Sequence, residues 1–182
     1  METQHEILLG LVESRAQNLF TTRQLYCAEA VLLVLNRGLN GGLSEETAIR
    51  LASAMTDGLG GAGCLCGALG GGVLALGLFL GRDSAGGKDR YHAQQASRAL
   101  HDLFRDMFGS TCCRVLSKKT KKGSRSHFEH CKEVTGTGAR LAAQVILDRR
   151  PELAKNADHV YLEHVDSKIG TNLKRVVNLF QK

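Results

Sequence analysis

The chain carries six cysteines, and their positions constrain its fold more than their number does. They are Cys27, Cys64, Cys66, Cys112, Cys113 and Cys131. Cys64 and Cys66 close the glycine-rich run 58–67, and the adjacent pair at 112–113 follows Gly109. Glycine lets the backbone turn sharply and approach a neighbouring group closely. Sulfurs that meet a metal, a cluster or another sulfur need such an approach, so the glycines favour a functional role for these cysteines.

The rest of the chain is patterned as helices. Apolar residues recur with the helical period, proline occurs once, and no alternation of apolar and polar residues indicates a β-strand. Amphipathic helices are predicted at about residues 7–20, 27–38, 45–55, 66–80, 91–108 and 128–147. The predicted fold class is therefore all-α, a single-domain bundle of about six helices with a glycine-rich loop and a C-terminal helical extension.

Pro151 divides the predicted bundle from the end of the chain. Its ring removes a backbone hydrogen bond and clashes with the preceding helical turn. Residues 1–150 are thus expected to form a helical cysteine-cluster domain. Residues 151–182 have a weaker helical period and are predicted to form a C-terminal helical extension that docks on the core or on a partner subunit.

The predicted helix at 66–80 has one face that is almost free of side chains. Gly67, Gly70, Gly71 and Gly77 form this stripe, and apolar residues cover most of the remaining surface. A glycine inside a helix costs about 1 kcal/mol relative to alanine, so several in one helix need a compensating contact. Very close packing of another helix or of a partner chain would supply it, and a homodimer is accordingly predicted.

Positive charge is concentrated in one part of the sequence. The formal net charge is +6, and much of it comes from the lysines and the arginine of residues 118–125. No aromatic residue interleaves with these lysines, so the pattern favours a solvated loop over a nucleic-acid site. A third reading is local, because positive charge near Cys112, Cys113 and Cys131 would lower the thiol pKa values and help to hold an anionic cluster.

The sequence predicts neither secretion nor membrane insertion. Residues 1–6 carry acid where a signal peptide would carry basic charge, and the most apolar run, 73–80, is too short to cross a bilayer. A cytoplasmic location is therefore expected. In that reducing compartment, clustered cysteines serve metal binding or redox chemistry more often than stable disulfides.

Four thiolates form a soft, anionic cage that suits zinc or an iron–sulfur cluster. Four separate predicted elements could each supply one sulfur, from Cys27, from Cys64 or Cys66, from Cys112 or Cys113, and from Cys131. The absence of CxxC spacing argues against zinc fingers, bacterial-type ferredoxins and thioredoxin-like disulfide exchange. Nearby His127 and His130 are further candidate ligands.

Five pieces of the sequence match one pattern when they are taken as a set. They are Cys-Ala-Glu-Ala-Val at 27–31, Gly-Leu-Gly-Gly at 58–61, Cys-Gly-Ala-Leu-Gly-Gly at 66–71, Phe-Gly-Ser-Thr-Cys-Cys-Arg at 108–114, and Cys131. From about residue 24 to residue 146 the chain thus resembles the C-GCAxxG-C-C family. That family is named for four cysteines around one glycine motif, and its members are assumed to be redox-active proteins.

The resemblance implies which cysteines matter. Matching the pattern selects Cys27, Cys66, Cys113 and Cys131, with Cys64 and Cys112 as alternates. The third position is matched by the cysteine that directly precedes Arg114, because arginine usually follows it in the family. Members come largely from anaerobic bacteria and archaea. A related domain in the dimeric split-Soret cytochromes carries a cysteine-bound iron–sulfur site beside haems, for which this chain has no attachment motif.

We therefore expect a redox-active protein that binds one iron–sulfur cluster, 2Fe-2S in preference to other types, through these four cysteines. It would exchange single electrons with a redox partner protein rather than act as a stand-alone enzyme, since no paired carboxylates or substrate pocket can be identified. Two alternatives stay open. One is a structural zinc-binding protein with an interaction role, and the other is a thiol or persulfide carrier enzyme in which Cys112 or Cys113 is activated by the basic segment.

Overall fold

The computed structural model describes residues 4–87, 90–168 and 170–171, so residues 172–182 of the predicted extension lie outside it. In chain order the helices are α1 (Gln4–Thr21), α2 (Cys27–Gly38), α3 (Glu45–Ser53), α4 (Thr56–Leu59), α5 (Gly67–Leu80), α6 (Arg90–Phe108), α7 (Cys113–Leu116), α8 (Arg125–Leu147) and α9 (His159–Glu163), with a 3₁₀ helix at Pro151–Asn156. The described residues contain no β-strand, and the predicted all-α bundle is confirmed.

Side-chain caps decide where two of the helices begin. Ser44 accepts a hydrogen bond from the backbone N–H of Thr47 at 3.2 Å, and Ser124 accepts one from the backbone N–H of His127 at 3.2 Å. A capping oxygen of this kind satisfies a backbone donor that has no partner within the helix. α8 therefore begins before Phe128, where the apolar pattern starts, because the cap and not the first apolar residue sets the helix start.

α2 lies at the centre of the bundle and packs against α1, α3, α5 and α8. Every residue of α2 from Ala28 to Asn36 is buried, including two polar side chains. The amide of Asn36 donates to the backbone oxygen of Leu43 at 2.9 Å and accepts from its N–H at 3.0 Å. Glu29 accepts from the backbone N–H of Tyr26 at 2.8 Å and from the hydroxyl of Ser53 at 2.7 Å. These polar groups are tolerated in the core because they are hydrogen-bonded.

The lengths and the apolar character of the helices test whether any of them could cross a membrane. None of the helices in the described part of the chain combines the length and the apolar character needed to cross a bilayer. α5 is the most apolar of them, but it has only 14 residues. It lies against α2, α6 and α8 within the bundle.

Most of the glycine stripe of α5 faces other helices of the same chain. A Cβ atom on Gly71 would lie 2.5 Å from the backbone oxygen of Ala28 and 3.0 Å from the Cβ of Val31. A Cβ atom on Gly77, by contrast, would meet no heavy atom within 4 Å. Close packing within the chain thus accounts for the N-terminal part of the stripe, whereas Gly77 faces open space. The homodimer stays a prediction.

The described part of the C-terminal extension lies against α1 and α2. The buried guanidinium of Arg15 donates to a carboxylate oxygen of Asp166 at 2.8 Å and to the backbone oxygen of His164 at 2.9 Å. The ring of Tyr161 lies between two arginines, with its centroid 4.9 Å from the guanidinium carbon of Arg15 and 4.3 Å from that of Arg37. An ion pair and two cation–π contacts therefore join this segment to the bundle.

Replacing Gly71 by alanine should destabilise the bundle, and replacing Gly77 should not. Alanine favours helix formation by about 1 kcal/mol at either position. Gly71→Ala also forces a methyl group against the α2 backbone at a cost of about 1–3 kcal/mol, so after the gain in helix propensity we expect a net loss of up to about 2 kcal/mol in the free energy of unfolding. Gly77→Ala should leave that free energy unchanged or raise it. Urea unfolding followed by circular dichroism measures both variants, and equal effects would contradict the packing described here.

The pair formed by Arg15 and Asp166 should make stability depend on pH. Burial alone would raise the pKa of the Asp166 carboxyl, but hydrogen bonds from Arg15 and Gln24, together with the charges of Arg15 and His164, lower it. A carboxyl whose pKa is lowered in the folded state stabilises the fold above the unfolded-state pKa of about 3.9. That stabilisation is lost as the pH falls through the folded-state pKa.

Asp166→Asn should therefore lower the free energy of unfolding by about 3 kcal/mol at neutral pH, because it leaves a buried guanidinium without its carboxylate. The difference between variant and wild type should shrink as the pH is lowered from about 5 to about 3. Urea unfolding across this pH range provides the measurement. Glu163→Gln, which changes an exposed carboxylate of α9, is the matched control. A difference that does not vary with pH would contradict the role given to this ion pair.

Candidate functional site

Four of the six cysteines line one cavity of about 460 Å³. They are Cys27, Cys66, Cys113 and Cys131. Each comes from a different part of the bundle, namely the first residue of α2, the N-cap of α5, the first residue of α7 and the second turn of α8. The structure thus brings together the four cysteines that the sequence pattern selects, although they are up to 104 residues apart in the chain.

A short backbone pairing places Cys66 beside Cys113. The N–H of Cys66 donates to the backbone oxygen of Thr111 at 2.8 Å, and the N–H of Cys113 donates to the backbone oxygen of Cys64 at 3.0 Å. These bonds join the glycine-rich loop to the turn after α6 in antiparallel fashion. Side chains alternate between the two faces of an extended backbone. The pairing therefore directs Cys66 and Cys113 to the same face.

The other two cysteines do not line the cavity. Cys112 is one residue from its neighbour in the site, and its thiol donates to the backbone oxygen of Gly63 at 2.9 Å. Cys64 is exposed to solvent. The residues alone did not show which member of each close pair, Cys64 or Cys66 and Cys112 or Cys113, belongs to the site. The structure places one member of each pair in the cavity.

The loop that precedes Cys66 has an unusual left-handed backbone. Positive φ angles occur at Asp57, Gly58, Leu59, Gly60, Gly61 and Gly63. For Asp57 and Leu59, which carry side chains, this conformation costs about 1–2 kcal/mol each. A Cβ atom on Gly58 would lie 2.7 Å from the Cβ of Cys113, so only glycine lets the loop pass this close to α7. Strain of this kind is commonly found at functional sites.

Backbone N–H groups point at two of the sulfurs. Cys27 and Cys66 each lie at the start of a helix, where unpaired N–H groups and the helix dipole favour negative charge. The donors are the backbone N–H groups of Ala28 and Asp57 for the first sulfur and of Ala68 and Leu69 for the second. A Cβ atom on Gly67 would collide with the sulfur of Cys27. The glycine after Cys66 is thus required by the site itself.

In the protein alone, burial outweighs these hydrogen bonds. Burial raises the pKa of Cys27 to about 11 and the pKa values of Cys66 and Cys131 to about 12. The pKa of Cys113 is also raised, by burial first and then by the negative charge of Asp57 and of the neighbouring thiolate, against the opposing charge of Lys122. The basic segment thus acts on the pKa of Cys113 in the direction expected from the sequence, through Lys122, but burial and nearby negative charge outweigh it.

Two histidines, His127 and His130, lie near Cys131 on α8, and one of them lines the cavity. His127 lines it, with Nε2 3.7 Å from the sulfur of Cys131 and Nδ1 3.0 Å from the hydroxyl of Thr120. His130 is not among the lining residues, and its Nε2 is buried without a hydrogen-bond partner in the described structure. His127 can therefore act on the sulfur beside it, whereas His130 lies outside the site.

An ion pair at the cavity was missed by the sequence analysis. Asp57 and Lys122 both line the cavity, and their charged groups are 3.3 Å apart. Their side chains are 58% and 74% exposed, so the pair lies at the mouth and not at the floor. The only sequence signal for Asp57 is its position directly before the glycine-rich run, which by itself indicates a turn.

The described side chains do not form a finished metal site. Among them, no three His, Cys, Asp or Glu side chains stand close enough together to hold a metal ion. The four cavity cysteines nevertheless interact electrostatically, since the pKa of Cys131 responds to the charges of Cys27 and Cys113. A centre held by all four would have to draw their sulfurs together within a cavity that they already share.

Comparison with known proteins identifies the family. The family model described as "Putative redox-active protein (C_GCAxxG_C_C)" matches residues 25–145, which include all six cysteines and the whole lining of the cavity except Phe20 and Arg23. No curated protein and no solved structure matches the chain. The match covers more than half of the chain and confirms the resemblance found in the sequence. The chain belongs to the C_GCAxxG_C_C family.

Proposed function

We propose that this protein binds an iron–sulfur cluster of the 2Fe-2S type through Cys27, Cys66, Cys113 and Cys131 and serves in electron transfer. One observation carries the proposal: four cysteines from four separate helices line a single cavity. Cysteine thiolates in sets of four are the usual ligands of such clusters. The redox character of the family supports the same reading.

The residues present fit such a group. The cavity offers four sulfurs, and a Cβ atom at Gly67 would fill the space beside the sulfur of Cys27. The thiols have raised pKa values in the protein alone, and a positively charged centre reverses this balance because a coordinating thiol is deprotonated. When bound, the cluster would supply a one-electron redox centre.

The chain's own residues would bind, orient and shield that centre. Backbone N–H groups at the starts of α2 and α5 would donate to the sulfurs of Cys27 and Cys66, and such bonds tune the reduction potential. The apolar side chains of Phe20, Leu25 and Val134 form part of the cavity wall and would exclude water. All six cysteines are free, which is consistent with the reducing, cytoplasmic setting that we also propose.

Anaerobic reconstitution with iron and sulfide tests the proposal directly. We expect the purified protein to acquire visible absorption and close to two irons and two acid-labile sulfides per chain, as a 2Fe-2S cluster requires. Iron and sulfide assays and visible spectroscopy make the measurement. A colourless protein without iron would contradict the proposal, and equimolar zinc without redox activity would instead support the structural zinc alternative.

Serine variants separate ligands from their near neighbours. Cys66→Ser and Cys113→Ser should lose most of the bound iron or form an unstable cluster, because each removes one sulfur from the cavity. Cys64→Ser and Cys112→Ser are matched controls, since each changes the other cysteine of the same close pair and should retain wild-type iron content. If only the control variants lose iron, Cys64 and Cys112 are the ligands, and the assignment to Cys66 and Cys113 is wrong.

Alkylation of the metal-free protein tests the thiol-carrier alternative. At pH 7 a thiol with a pKa of about 11, such as that of Cys27, is ionised in about one molecule in 10,000. We therefore expect iodoacetamide to label exposed Cys64 first and the cysteines of the cavity much more slowly. Peptide mass spectrometry over a time course provides the measurement. Fastest labelling at Cys113 would contradict this order and would support an activated nucleophile.

A further inference from the structure

The entire net charge of the protein comes from one exposed segment. Residues 114–125 contain six of the 24 lysines and arginines and no acidic residue. The other 18 basic residues equal the 18 acidic residues in number. The six basic side chains, all exposed and here called the basic face, are Arg114, Lys118, Lys119, Lys121, Lys122 and Arg125.

The segment that carries the basic face borders the cysteine cavity. Its segment connects α7, which begins with Cys113, to α8, which carries Cys131. Within that segment, Lys122 and Gly123 line the cavity itself. One charge of the basic face, that of Lys122, is therefore placed at the cavity, and the others lie on the same short segment.

Three lysines of the basic face have no carboxylate partner among the described residues. Lys122 pairs with Asp57 at 3.3 Å, and Arg114 donates to the backbone oxygen of Ala62 at 2.5 Å. No described carboxylate lies within ion-pair distance of Lys118, Lys119 and Lys121. Their charges are thus neither neutralised locally nor used to hold the fold.

Exposed apolar side chains accompany the lysines. Tyr26 lines the cavity and is 65% exposed, while Leu59 of α4 and Val115 of α7 are 45% and 55% exposed. α4 and α7 contact each other, so these two side chains belong to neighbouring elements. Apolar residues surrounded by polar ones are typical of surfaces that bind other proteins.

We propose that the basic face, with these apolar residues, is the docking surface for an acidic electron-transfer protein. This rests on the proposed function, because docking here would bring the partner's redox centre to the mouth of the cysteine cavity. Complementary charge steers association over distances longer than a contact. No aromatic residue interleaves with the lysines of residues 118–125, which favours a protein partner over a single-stranded nucleic acid.

Binding to an acidic plant-type 2Fe-2S ferredoxin, used as the probe, tests this proposal. The full chain is immobilised and the dissociation constant is measured at about 20 mM and about 200 mM salt, where surface charges are screened over different distances. We expect binding to weaken at least about tenfold at the higher salt. A dissociation constant that does not change with salt, or no binding at low salt, would overturn the proposal.

Charge variants locate the surface. Replacing Lys118, Lys119 and Lys121 with glutamine should weaken ferredoxin binding at low salt at least about tenfold. In the matched control, glutamine replaces Arg82, Arg149 and Lys155, which removes as much positive charge as the first variant does. Arg82 and Arg149 follow the C-terminal ends of α5 and α8. Since a helix rises 1.5 Å per residue, the end of α8 is about 24 Å from Cys131. The control should bind within about twofold of wild type.

The outcomes of the two tests are separate. Equal weakening in both triple variants, or tighter binding of a DNA duplex than of ferredoxin at the same salt, would overturn the docking proposal. Binding of ferredoxin by the exposed lysines does not require a bound cluster. The dissociation constant can therefore be measured on the protein as purified and again after reconstitution. Failure to assemble a cluster would contradict the proposed function and leave the binding result readable. Circular dichroism confirms that the exposed substitutions leave the helices intact.

Discussion

The close approach of α2 and α5 is the contact on which the rest of the structure depends. Gly71 lies against the backbone oxygen of Ala28, and Gly67 lies against the sulfur of Cys27. Neither position has room for a methyl group, so the two helices meet at backbone distance near their N-terminal ends. That contact places Cys27 beside Cys66. The glycines of α5 therefore serve the packing of the bundle and the geometry of the site at once.

Burial and charge oppose each other at the cysteines. Removal from water raises the pKa values of Cys27, Cys66 and Cys131 to about 11–12, and the backbone N–H groups directed at the first two only partly offset this effect. Asp57 adds negative charge at the mouth, while the basic segment is too exposed to ionise the thiols. Thiols held in this way are mostly protonated at neutral pH in the protein alone, and a bound positive charge would reverse that balance.

The helices could be predicted because their apolar period is a local property, and α8 differed only where the Ser124 cap adds a turn before Phe128. The glycine stripe was harder to interpret. Sequence reasoning recognised that something packs closely on α5 but could not tell another helix of the chain from a partner, since both require the same small residues. Asp57 escaped notice because its importance arises from a left-handed loop and from an ion pair with Lys122, both of which depend on distant residues.

The sequence by itself determined the helical class, the break at Pro151 and the set of cysteines that matches the family pattern. These follow from periodicity and spacing, which can be read from neighbouring residues. Only the tertiary structure decided that Cys66 and Cys113 face the cavity while Cys64 and Cys112 do not. Hydrogen bonds between backbone segments almost 50 residues apart direct Cys113 and Cys112 to opposite faces, whereas Cys64, two residues before Cys66, lies outside the cavity and is exposed to solvent. The nearness of the basic segment to Cys113 and Cys131, by contrast, could be read from the sequence, because the segment joins the two helices that carry them.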